Sequence, residues 1–161
     1  MATDETGQSL HDRLAAAAPA ALAEALSLFA RGEATREPQD DALATHTGKL
    51  TREHGRLDWT RSAVDLGRQV RAFMPWPSSW CRVALPNGSE KNLKVFPPTQ
   101  IVPLSESAEA GSLVAVEPDR MVVATGDQGL ALTDVQLEGK KRVSVKDFLR
   151  GHALVVGDRL L

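Results

Sequence analysis

Trp80-Cys81-Arg82-Val83-Ala84-Leu85 alternates and runs into Pro86-Asn87-Gly88-Ser89, and the reading of this stretch decides the class of fold. Alternation with period two puts successive side chains on opposite faces of a strand, and Pro-Asn-Gly-Ser is turn chemistry. The same grammar continues downstream. Leu93 to Val102 is apolar and β-branched but carries Pro97-Pro98, which predicts an edge position or a bulge because proline donates nothing to a strand ladder. Leu113 to Val116, Met121 to Ala124 and Leu130 to Leu137 follow, divided by Glu117-Pro118-Asp119 and by Gly126-Asp127-Gln128-Gly129. Five short strands without a long helix between them predict an antiparallel, closed or half-closed barrel, since parallel strands need crossovers of about a dozen residues. A short helix over Ser144 to Arg150 and a coil tail complete the chain.

Upstream of the strands the period is helical. Ser62 can cap a helix running to Phe73, with Val64, Leu66, Val70 and Phe73 as its buried positions; Met74-Pro75-Trp76-Pro77 ends it, because a residue before proline is pushed out of helical backbone. Further back, Leu10, Leu14, Ala18, Leu22, Leu26 and Phe29 recur every three or four residues, so they share a face that needs a partner. Thr6 or Ser9 can cap this first helix, with Asp12 three residues after Ser9. Pro19 should kink or restart it, and Gly32 should stop it. Residues 33–48, rich in Glu, Asp and Thr around Pro38, read as a linker.

The chain has 161 residues, 42% apolar and 25% charged, enough for one core and too little for most two-domain enzymes. Collagen-like, disulfide-scaffold and disordered classes are excluded. Its net charge of -2 hides an asymmetry. Residues 1–48 hold three cations against eight acids, a net -5, and residues 49–161 hold sixteen against thirteen, a net +3. The single Cys81 reads as a small half-buried apolar residue. The acidic Met1-Ala2-Thr3-Asp4-Glu5 is unlike a signal peptide, and Leu14 to Ala30 contains Pro19 and Glu24 and is mostly alanine. A cytoplasmic protein without a membrane span is therefore expected.

No catalytic or metal-ligating constellation emerges. His11, His46, His54 and His152 are scattered, and Gly126-Asp127-Gln128-Gly129 is a hairpin turn rather than a phosphate cradle. Binding signals are clearer. Gly139-Lys140-Lys141-Arg142 is a compact basic cluster between a strand and a helix. Lys49, Arg52 and Arg56 form a second patch, diluted by Glu53. Lys91 and Lys94 sit beside the first hairpin, on opposite faces of their strand. Trp59 and Trp76 read as aromatic plugs at a helix-to-barrel corner, so any RNA contact should run through phosphates and shape.

Several blocks carry a resemblance: Gly55-Arg56-Leu57-Asp58-Trp59, Gln69-Val70-Arg71-Ala72-Phe73-Met74-Pro75-Trp76-Pro77, Val123-Ala124-Thr125-Gly126-Asp127, Gly139-Lys140-Lys141-Arg142-Val143-Ser144 and Gly157-Asp158-Arg159-Leu160-Leu161. In this order and spacing they resemble the C-terminal domain of the methionyl-tRNA formyltransferase family. Glu5 to Leu14 and Gln39 to Thr45 resemble the last helix of that family's catalytic domain and the linker behind it. Met74 departs from the family's usual Asn, His46 from a common Tyr, and Pro97-Pro98 interrupts the second strand.

The resemblance implies a mainly β fold with flanking helices (α+β). Residues 1–32 would be a terminal helix remnant of a catalytic domain, 33–48 a linker and 49–161 an OB-like antiparallel β-barrel. It implies a role in holding initiator tRNA for N-formylation from 10-formyltetrahydrofolate during translation initiation. Contacts would come from Lys49, Arg56, Lys94, Lys140, Lys141 and Arg142. No motif of the family's Asn, His and Asp catalytic set is present, so no catalytic residue, cofactor or metal is expected in this chain, and alone it is expected to be inactive. The partners implied are tRNA and a catalytic domain elsewhere. Two other readings are a stand-alone RNA-binding module and the barrel of a sugar-nucleotide formyltransferase.

Overall fold

In the computed structural model, residues 2–85 and 88–161 are described; Pro86 and Asn87 of the expected first turn lie outside them. Strands β1 (Ser79–Ala84), β2 (Glu90–Val102), β3 (Leu113–Val116), β4 (Met121–Ala124), β5 (Gly129–Leu137) and β6 (Val143–Ser144) form one antiparallel sheet. Its order is β1-β2-β5-β4-β3, and β6 adds to β5. Together with the helices this is a mixed α+β fold built on a curled antiparallel sheet.

The proline pair is a bulge and not an edge. β2 is paired on both sides, to β1 and to β5, and its register shifts between Phe96 and Thr99, where Phe96 faces Asp134 and Thr99 faces Leu132. Two residues therefore oppose one, as in a β-bulge. The bulge carbonyls find side-chain donors: Thr133 Oγ1 donates to the Pro98 oxygen at 3.1 Å and Arg142 Nη2 to the Pro97 oxygen at 3.1 Å.

The expected coil tail instead spans the two edges of the sheet. The Arg82 amide donates to the Leu161 carbonyl at 2.7 Å and the Leu161 amide returns the bond at 2.8 Å, on the β1 edge. On the β3 side the Leu160 amide donates to the Gly111 carbonyl and the Leu113 amide to the Asp158 carbonyl, both at 2.8 Å. Single bridges Val83–Leu160 and Ser112–Arg159 mark the two contacts. Composition gave no sign of this, because a five-residue pairing segment is too short to show a period.

Helix α2 (Ala63–Ala72) packs on β2 and β5 with Ala63, Leu66, Gly67 and Val70 buried, the i, i+3, i+4, i+7 face. Two of the expected core positions are corrected: Val64 is exposed and Phe73 only half-buried. The small residues Ala63 and Gly67 let the helix sit close to the sheet; a Cβ at Gly67 would lie 3.4 Å from Thr99 Oγ1 and 3.8 Å from Leu130 Cδ1. Helix α3 (Val145–Gly151), capped by Ser144, buries Val145 and Phe148 in the same core. Inward side chains of β1, β2, β4 and β5, among them Val83, Leu93, Val95, Met121, Val123, Leu130, Leu132 and Val135, complete it with Leu57, Trp59 and Leu160.

Helix α1 (Gly7–Ala30) stands apart. It is capped by Thr6, whose side chain pairs with Ser9 and not Asp12, in a reciprocal capping box. Pro19 lies within the helix and does not interrupt it; the residues around it are exposed, so solvent can satisfy the carbonyl left without a donor. The helix stops in a Schellman motif: Glu33 donates to Leu28, Gly32 to Phe29, and Gly32 adopts φ 70°. None of its residues is buried, and Leu14, Leu22, Leu26 and Phe29 are 60 to 70% exposed. By length and composition alone it is apolar enough to cross a membrane. Residues 33–48 are exposed throughout, with one 3-10 turn at Asp41–Leu43.

Candidate nucleic-acid interface

The register of three adjacent strands builds the floor of a cleft. Trp80 of β1 faces Lys94 of β2, and Lys94 faces Gln136 of β5. Leu93 and Val95, on either side of Lys94, point into the core, so this row lies on the outer face of the sheet. Trp80 is nevertheless buried, because the 3-10 segment Arg52–Gly55 lies over it. Its Nε1 donates to the Arg52 carbonyl at 3.0 Å, and the Arg52 guanidinium sits 5.8 Å from the ring centroid.

Above this floor the walls are Arg52 and the Trp76-Pro77 loop at one end and Glu138-Gly139 at the other, enclosing about 370 Å³ with Asn92 between. The β5–β6 turn that forms the far wall is held in shape. Lys140 donates its amide to the Leu137 carbonyl at 2.9 Å, and Gln136 Nε2 donates to the Lys140 carbonyl at 2.7 Å. Lys140 and Lys141 follow directly on the rim residue Gly139 and are exposed.

Charge pairing separates two classes of cation. Arg61, Arg82, Arg120, Arg150 and Arg159 are in ion pairs with neighbouring carboxylates. Among the described residues, no ion pair involves Lys49, Arg52, Arg56, Lys94, Lys140 or Lys141. Four of these, Arg52 and Lys94 in the cleft lining and Lys140 and Lys141 beside its rim, leave a charge that an external polyanion can neutralise.

The six residues expected to touch tRNA are thus only partly brought together. Lys94 lines the cleft and Lys140 and Lys141 adjoin its rim, whereas Arg56 lines a different hollow with Asp58, Trp59 and Arg159. Lys49 precedes the Arg52–Gly55 segment and is exposed. Arg142 is engaged internally: it pairs with Asp134 at 3.1 Å, donates to the bulge carbonyl of Pro97, and lies 4.6 Å above the Phe96 ring centroid. Arg52 belongs to the cleft beyond its place in the basic patch. Trp76 is corrected from plug to surface residue, 58% exposed against 4% for Trp59. Flanking prolines remove its backbone from any helical or strand period, so periodicity could not assign its side chain to an inner or an outer face.

Cys81 is fully buried in the core, where desolvation pushes its thiol up to about 12, so it is no nucleophile. Asp58 titrates below the usual aspartate range because Thr60 hydrogen-bonds its carboxylate through both side chain and amide.

The formyl transferase C-terminal domain model matches residues 49–153, about two thirds of the sequence. The chain belongs to this family. A methionyl-tRNA formyltransferase of Akkermansia muciniphila is 38% identical over 148 residues, covering 92% of this chain and 47% of that protein. One from Pseudomonas putida (strain W619) is 44% identical over 152 residues, covering 94% and 46%. The chain therefore spans about half the length of the curated relatives it matches. Among solved structures, HypX from Aquifex aeolicus in complex with tetrahydrofolic acid superposes with a TM-score of 0.55 at 21% identity, over 80% of this chain and 22% of that one. That likeness concerns the fold alone.

A folate would need convergent buried polar groups around a slot. The buried unpartnered polar atoms among the described residues are Trp59 Nε1, Ser79 Oγ and Thr99 Oγ1. Trp59 and Thr99 line separate hollows, and none of the three lines the cleft. The residues present do not fit a folate.

Proposed function

We propose that this chain is the C-terminal part of a methionyl-tRNA formyltransferase, which holds initiator tRNA so that its methionine can be N-formylated from 10-formyltetrahydrofolate by a catalytic unit of which these residues include only the last helix. Residues 49–161 act as an OB-like barrel, 33–48 as the linker and 1–32 as the end of the catalytic unit, working in the cytoplasm in translation initiation. The observation that carries this reading is the set of cations without ion pairs around the cleft on a domain of the formyltransferase family. Lys94, Lys140, Lys141 and Arg52 supply phosphate contacts, with Lys49 along the linker and Arg56 and Arg142 at its margins. In this reading the chain contributes position and charge, and no step of the formyl transfer is carried by its side chains.

The test is tRNA binding by the full chain across a salt series. With about four to five phosphate contacts, log affinity should fall against log salt with a slope of about -3 to -4. Joint substitution of Lys94, Lys140 and Lys141 by Ala should flatten that slope by about two to three units without changing the urea midpoint. A salt-independent affinity, or an unchanged slope in the triple variant, rejects the assignment.

A further inference from the structure

We propose that Trp76 is a stacking platform for an unpaired RNA base, with Arg52 and Lys94 taking the phosphates on either side of that nucleotide. The inference rests on the tRNA-holding reading and adds to it a contact to a base. Three features of the cleft point there.

The first is the exposure of the indole. Two of the three tryptophans are at least nine-tenths buried, while Trp76 presents most of its surface to solvent within the cleft. An exposed aromatic that shares a cleft with cations is the residue type on which bases stack, with arginine adding cation–π attraction.

The second is preorganisation. Pro75 and Pro77 each fix one backbone angle beside Trp76. The loop is closed by the Ser78 amide donating to the Phe73 carbonyl at 2.9 Å and by Ser78 Oγ donating to the Pro75 carbonyl at 2.8 Å. Little loop entropy remains to be lost on binding.

The third is the company around the ring. Lys94 and Arg52 have no ion pair, and the side-chain amide of Asn92 has no internal hydrogen bond among the described residues. Glu138, the acid in the lining, accepts a bond from the backbone amide of Asn92 at 3.3 Å. Phosphate, base face and base edge thus each meet a suitable group within one cleft of about 370 Å³. A paired base is already stacked on both faces inside its helix, so the ligand class is an unpaired nucleotide, as at a loop or a single-stranded end. The contact is tolerant of base identity, because every base offers a π face.

The experiment uses the full chain and two RNAs: a short single strand and a blunt-ended duplex of the same length, followed by intrinsic tryptophan fluorescence and by filter binding. The single strand should quench part of the wild-type emission, and Trp76→Ala should abolish that quench. The same substitution should weaken single-strand binding about tenfold and leave duplex binding unchanged, consistent with the usual cost of losing one stacked base. Trp76→Phe should recover most of the affinity. Equal single-strand affinity for wild type and Trp76→Ala overturns the stacking proposal. If tRNA still binds with a steep salt slope in that case, the tRNA-holding reading survives alone. If neither RNA nor tRNA binds, both fall.

Discussion

Asp127 caps a helix from which it is separated by the whole of β1 to β4. Its Oδ1 accepts the Ala63 amide at 2.8 Å, while Ser62 Oγ accepts the Asp65 amide at 3.1 Å, so two of the orphan donors at the start of α2 are satisfied from two different places. Gly126 makes this possible, since a Cβ there would run into the Thr60 carbonyl. The Ala63 bond, helped by Thr125, holds the Asp127 carboxyl below the ordinary aspartate range. A carboxylate with a lowered native pKa stabilises the fold above its unfolded value, and that contribution is lost as pH falls through the native one. Asp127→Ala should therefore lower the urea midpoint at neutral pH, and the gap from wild type should close as pH falls below about 3.9, the unperturbed aspartate value. A gap that persists in acid would show that packing, not the charged cap, was lost.

At the scale of elements, the segment 157–161 does what a full strand would do. It hydrogen-bonds the β1 edge through Arg82 and the β3 side through Gly111 and Leu113, and it seats Leu160, 1% exposed, in the core. Each edge strand gains partners for amides that would otherwise be left open to pairing with another chain. Leu160→Ala should cost about 2 to 5 kcal/mol in urea unfolding, the usual range for a buried leucine. Hydrogen exchange should then accelerate first at Arg82 and Leu113. The bulge at Pro97-Pro98 belongs to the same scale. Two prolines in a strand paired on both sides are tolerated because the bulge takes them out of the ladder, where no amide donor is called for, and side chains of Thr133 and Arg142 bond their carbonyls.

For the whole molecule, the decisive feature is the separation between α1 and the rest. The start of α1 sits against α2, where a Cβ on Gly7 would collide with the Ala72 carbonyl, and Thr6, Gly7 and Leu10 share a hollow with Arg68 and Arg71. Beyond that turn the helix extends with no buried residue. Removing residues 1–32 should leave the urea unfolding free energy of the remainder within about 0.5 kcal/mol of its original value, as expected for a segment outside the core. A cooperative loss of stability would mean that α1 is part of the core after all. The charge asymmetry runs alongside this division: no residue of the acidic segment 1–48 is among those lining the cleft that carries Lys94 and Arg52.

Much of this was legible in the residues themselves. The change from a period near four to a period of two located α2 and every main strand, because periodic burial is a local property of the chain. The Ser62 cap and the Gly32 stop were readable for the same reason, since each acts within a few residues, whereas Ser144, expected as the first residue of the last helix, is its cap. Other features had no local signature. Whether Pro97-Pro98 marked an edge or a bulge depended on which strands flank β2. The buried face of α2 was misread at Val64 because a close sheet selects small residues, Ala63 and Gly67, over larger ones. Lys94 and the Gly139 turn meet only through strand register, and Arg142 leaves their company only because Asp134 and Phe96 lie beside it. Sequence by itself determined the elements and their caps, which are set by forces acting over a turn or a hairpin. Tertiary structure alone decided which cations stay unpaired, which tryptophan faces solvent and how the sheet closes, because each depends on neighbours that are distant along the chain.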